Sequence, residues 1–173
     1  MREPLVAWAA DCRVQGDVDL AEGRLSDQVN EGELLTFFGA TLEALGDGHQ
    51  VQLDELEVER RELHLIEVDG RQGDPGRRVR TIAESVRLEI GPFRVTGNLH
   101  RSPATQPLAA LSRHQRFVPV TDARIDVLDG SRPSRHLDVL LINRQLVAKS
   151  EPIAPIRAGD DEADVVLTGG AAG

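Results

Sequence analysis

Three histidines, His100, His114 and His136, have Asp122 among them in the chain, and these residue types are the ones that hold zinc or iron. None lies three or four positions from another, so no single helix face gathers them. A metal site at His100, His114, His136 and Asp122 would require the fold to converge them. The expectation is scattered surface or structural histidines, with no metal and no cofactor. Glu55, Glu57 and Glu59 alternate, which lines three carboxylates along one face of a strand. Acid and base chemistry would need burial to separate their pKa values. They read instead as a solvated strand face that a partner protein can contact.

Other patterns fall short of a site. Asp17, Asp19, Glu22 and Gly23 approach a calcium loop, but the glycine comes one position late and the closing glutamate is missing. Gly46, Gly48 and His49 lack the third glycine and the Lys-Ser/Thr ending of a phosphate loop. No G-x-S-x-G elbow occurs. Cys12, the only cysteine, has no nucleophile partner nearby in sequence, excludes an intrachain disulfide, and reads as a small core residue. The residue types therefore argue against an enzyme.

The elements that would position these residues are mostly strands. The chain has 173 residues, 40% of them apolar and 28% charged, enough for one domain or two very small ones. Arg13, Val14, Gly16 and Val18 recur as Arg94, Val95, Gly97 and Leu99. Leu25, Phe37, Ala40, Leu42 and Leu45 then recur as Leu108, Val120, Ala123, Ile125 and Leu128, and Arg61 and Leu63 as Arg144 and Leu146. The fold class expected is mainly β (α+β). Two tandem units, each with one short helix, pack as an intramolecular pseudo-dimer.

The first unit covers 1–69, a linker 70–80, the second unit 81–156 and a flexible tail 157–173. Units of this size bury too little surface to fold well alone, so the two should form one cooperative domain. Within each, a strand (12–20 in the first) precedes a short helix, Arg24 to Asn30 in the first unit and opened by Pro107 in the second. Leu34 to Phe38 continues after a bend as Ala40 to Leu45, and Phe117 to Val120 as Ala123 to Leu128. Val51 to Val58 with Leu63 to Val68, and His136 to Ile142 with Gln145 to Ala148, end the units. Asn143 and Arg144 suggest a tight hairpin between the last two. Ile82 to Ile90 alternates as a bridging strand.

Charge divides the units. Residues 12–69 hold fifteen acids and four arginines, net −11, whereas residues 93–157 hold five acids and ten bases, net +5. Opposite signs favour docking of the halves, although each exposed pair contributes only about 0 to 1 kcal/mol. The basic half carries eight arginines between Arg94 and Arg144, but Phe93 and Phe117 are its only rings. The acidic half and a net charge of −9 for the whole chain oppose nucleic-acid binding. The longest apolar run, Leu5 to Ala10, is far short of the roughly 20 residues of a membrane span. Asp11 before Cys12, with Glu3 and Pro4, spoils a lipoprotein leader. A cytoplasmic protein without membrane contact is expected.

The segments Phe93-Arg-Val-Thr-Gly-Asn-Leu-His100, Phe117-Val-Pro-Val-Thr-Asp-Ala123 and Leu141-Ile-Asn-Arg144 resemble a small bacterial domain family of unknown function. Arg24-Leu-Ser-Asp-Gln-Val-Asn30 is similar to that family's helical signature. The second copy departs from it, with Pro107 to Ser112 in place of the Arg-Leu-Ser-Asp stretch, and Arg60-Arg61 replaces Asn-Arg in the first. The resemblance implies no activity. The functional expectation is a non-enzymatic protein-interaction or assembly module whose partner is another protein or a second copy. The alternative is a small-ligand or metal-dependent sensor or enzyme with its site at the junction of the two units.

Overall fold

A computed structural model of the chain describes residues 2–20, 25–68 and 80–155. The linker expected at 70–80, except Arg80, and the tail expected at 157–173 lie outside the described residues. The described residues form ten strands: β1 Arg2–Trp8, β2 Cys12–Asp19, β3 Leu34–Ala44, β4 Gln50–Glu59, β5 Leu65–Glu67, β6 Ile82–Ile90, β7 Phe93–Arg101, β8 Phe117–Val127, β9 Arg135–Asn143 and β10 Val147–Pro152. All pair antiparallel in one open sheet, in the order β10-β6-β7-β8-β9-β5-β1-β2-β3-β4.

That order contains the same neighbour sequence twice, β5-β1-β2-β3-β4 and then β10-β6-β7-β8-β9. The registers agree residue by residue. Leu5 faces Gly16 in the first half, and Val86 faces Gly97 in the second. Both glycines sit at a register slip, between Gln15 and Asp17 and between Thr96 and Asn98. Both positions exclude a side chain for the same steric reason. A Cβ on Gly16 would stand 2.9 Å from the Phe38 carbonyl oxygen and 3.2 Å from Ala40 Cα. A Cβ on Gly97 would stand 2.9 Å from the Thr121 oxygen and 3.2 Å from Ala123 Cα. The next strand bends at Gly39 (φ 57°) and Asp122 (φ 48°), where the inward phase jumps from Phe37 to Ala40 and from Val120 to Ala123.

Two apolar cores form. One gathers second-half residues such as Leu88, Phe93, Val120 and Ile142 with Trp8, Leu45 and Leu65 from the first half. The other gathers Val18, Phe37 and Leu63 with Phe117 and Leu141 from the second half. At the seam, β5 sends Leu65 into one core and the adjacent Ile66 into the other, and Leu140 and Leu141 of β9 divide likewise. Because successive strand residues point to opposite faces, the cores occupy opposite faces of the sheet. The seam strands are therefore buried on both sides, and each half completes the other's interior.

Several local expectations are corrected. No hairpin forms at Asn143 and Arg144, because β9 and β10 are not neighbours: β9 joins β8 and β5, while β10 joins β6. Asn143 has φ −78° and is fully buried. Its side chain accepts from Gln145 N and donates to the Leu63 carbonyl at 2.9 Å, so it stitches the halves instead of turning the chain. Val51 to Val58 and Leu63 to Val68 are likewise not partners, since β5 pairs with β1 and β9.

The first helix shrinks to one turn, α1 Leu25–Gln28, and Arg24 lies outside the described residues. Pro107 opens no α-helix. Leu108 adopts a left-handed φ of 59° and its N–H goes to Glu84 Oε2, leaving a 3₁₀ turn over Ala109–Ser112. Paired registers also match Arg60, not Arg61, with Arg144, since Leu34 faces Glu59 where Phe117 faces Asn143. Cys12 does not enter a core. It stands partly exposed at the start of β2, where burial first, and Asp11 beside it, push its thiol pKa up to about 11.

Candidate functional site

Among the described residues the sheet ends on two strands with a single neighbour each, β4 and β10, and they are chemically unlike. Among the described residues β4 has only β3 beside it, leaving its outer row of backbone groups unpaired. Its counterpart β9 is covered at the same position by β5: Leu65 faces Ile142, Ile66 faces Leu141 and Glu67 faces Leu140. The seam is apolar, with Ile66 and Leu141 both buried. Opposite Thr36, where the second half has Leu141 opposite Pro119, β4 presents Glu57. Opposite Leu88, where the first half has Ile66 opposite Ala7, β10 presents Ser150. Both replacements put a polar group where the seam requires an apolar one. β10 adds a register irregularity between Val147 and Lys149 and ends on Pro152, features that discourage strand addition.

Glu55, Glu57 and Glu59 therefore lie along a bare sheet edge. Glu55 and Glu57 are exposed, and Glu59 pairs with Arg61. Asp54 adds a fourth acid, and β4 contains no basic residue. Beside the acids, Leu34, Val51 and Leu53 are exposed by 48%, 45% and 39%, three of the five large apolar side chains that reach solvent among the described residues. Leu56 and Val58 on the other face pack partly against the first-half core. The edge thus offers alternating carboxylate and apolar positions beside open N–H and C=O groups. Periodicity alone identified the stripe of carboxylates; its status as an edge depends on which strands pair.

The histidines and Asp122 serve local bonds. His100 Nε2 contacts Thr121 Oγ1 at 2.7 Å and its Nδ1 contacts Thr81 Oγ1 at 3.2 Å. Asp122 accepts from Asn98 at 3.3 Å, and His136 stands across from Arg124. The His114 carbonyl accepts from Arg144 at 3.4 Å. Among the described residues no three His, Cys, Asp or Glu side chains form a group able to hold a metal. No helix among them is long and apolar enough to cross a membrane.

The seam itself carries the residues that sequence reading passed over. Asn30 imitates a strand: its Oδ1 accepts from Phe117 N at 2.8 Å and its Nδ2 donates to Phe117 O at 3.1 Å. Among the described residues three ion pairs cross between halves, Arg116–Glu33 at 3.6 Å, Arg132–Glu43 at 2.8 Å and Arg135–Glu67 at 2.6 Å. In each, the base comes from the second half and the acid from the first, the direction of the charge asymmetry in the sequence. His64 is buried against Phe93, with ring centroids 5.9 Å apart. Burial holds its pKa below the usual histidine value, against a smaller opposing effect of the Glu62 carbonyl. No protein-family model, curated protein or solved structure matches this chain.

Proposed function

We propose that the protein is a non-catalytic binding module, built by tandem duplication of one five-stranded unit, that takes an extended segment of another protein along β4. The single observation carrying this reading is that, among the described residues, β4 has no strand on the side where its counterpart β9 is covered by β5. Duplication is supported by the repeated neighbour order and by register slips and bends at matching positions. Strand addition to an exposed edge draws affinity from main-chain hydrogen bonds and specificity from alternate side chains. The fitting partner alternates basic and apolar residues, bases opposite Glu55, Glu57 and Glu59 and apolar groups opposite Leu56 and Val58. Self-association through the free edges is disfavoured, because Glu57 and Ser150 would replace the buried Leu141 and Ile66 of the internal seam.

The test is fluorescence anisotropy with a labelled peptide, as long as β4, that alternates Lys and Val. We expect saturable binding that slows amide exchange in β4. Joint replacement of Glu55, Glu57 and Glu59 by Lys should abolish it. Equal binding of a Glu-Val peptide, or protection appearing elsewhere in the sheet, would overturn the reading.

A further inference from the structure

We propose a second, independent site: a cleft between the halves that binds a small organic monoanion, a carboxylate borne on a flat apolar ring. The cavity measures about 290 Å³, near the lower end of ligand-sized pockets. Trp8, Ile125 and Val127 give it an apolar wall, and Arg13, Arg132 and Arg135 also line it. Among the described residues no acidic side chain lines it. Glu43 and Glu67 stand behind the arginines and fix them. Arg132 Nη2 donates to Glu43 at 2.8 Å and to the Ala44 carbonyl at 3.0 Å, and Arg135 Nη2 donates to Glu67 at 2.6 Å.

Glu67 is itself held by the Trp8 indole N–H at 2.9 Å. Arg13 lies 3.8 Å from Glu43 and its guanidinium carbon 5.5 Å from the Trp8 ring. Three cations against two carboxylates leave one positive charge in surplus. Arg132 Nε is buried with no hydrogen-bond partner. A guanidinium already oriented by one carboxylate keeps further donors in a fixed plane, which suits recognition of a second planar carboxylate. The single surplus charge selects a monoanion, and the apolar wall selects one with a ring.

Trp8 is the only tryptophan, so its emission reports from inside the cleft. The full chain is titrated with sodium benzoate at fixed ionic strength, in parallel with benzyl alcohol and with inorganic phosphate. We expect a saturable change of Trp8 emission with benzoate alone, and affinity roughly tenfold lower in Arg132→Gln and in Arg135→Gln. The proposal fails if benzoate gives no saturable response, if benzyl alcohol binds as well, or if both variants bind like the native chain. Saturation by phosphate alone would overturn the ring assignment. Circular dichroism checks each variant; should one unfold, the three-ligand comparison on the native chain decides.

Discussion

His64 is the residue whose burial ties the two halves most directly to pH. Its backbone N–H donates to the Trp8 carbonyl and its own carbonyl accepts from Asn143 N, so the residue's main chain is held at the seam. The turn between β6 and β7 makes room for it: Gly91 has φ 54°, and a Cβ there would lie 2.6 Å from the imidazole. Burial keeps the folded-state pKa below the ordinary 6.5, so as pH falls the unfolded chain takes up this proton first. The stability tied to the neutral ring is fully present above about 6.5 and declines as pH drops below it toward the folded-state value. Urea midpoints measured across pH 5 to 8 should decline on the acid side, and His64→Gln should flatten that decline. An unchanged profile in the variant would remove His64 from the account.

At the scale of elements, Gly39 and Asp122 perform the same bend with different side chains. A non-glycine residue at positive φ costs on the order of 1 kcal/mol or more. Asp122→Gly should therefore raise thermal stability, whereas Gly39→Asp should lower it, each by about 1 kcal/mol in chemical denaturation. The bends were legible beforehand, because apolar phase breaks between Phe37 and Ala40 and between Val120 and Ala123 in the amino-acid order itself. Strand identity was equally legible wherever inward and outward residues alternate. Pairing was not. β5 has only three residues, all buried, and nothing in Leu65, Ile66 and Glu67 announces that their neighbours are β1 and β9 instead of β4. Pro107 suggested a helix start because proline suits a first turn, but the positive φ of Leu108 depends on a carboxylate from a distant strand, Glu84. The arginine cleft escaped for a similar reason, since Trp8 and Arg13 meet Arg132 and Arg135 only after the halves dock. The carboxylate stripe of β4 was visible; its free backbone was not.

For the whole molecule, the seam between halves is head-to-tail: an end strand of one unit meets the opposite end strand of the next. Such an interface has no twofold partner of its own and nothing in its geometry that closes it. The two rims depart from the buried seam at two positions, Glu57 on one rim and Ser150 on the other. The double variant Glu57→Leu, Ser150→Ile restores at both rims the residue types that the internal seam buries. We expect light scattering from this variant to grow with protein concentration while the native chain stays small, and either single change alone to do less. If the double variant remains as small as the native chain, Pro152 and the β10 irregularity are the stronger barrier. If it grows instead, the molecule is a filament subunit arrested after a single step, with two substitutions separating a finite particle from an endless ribbon.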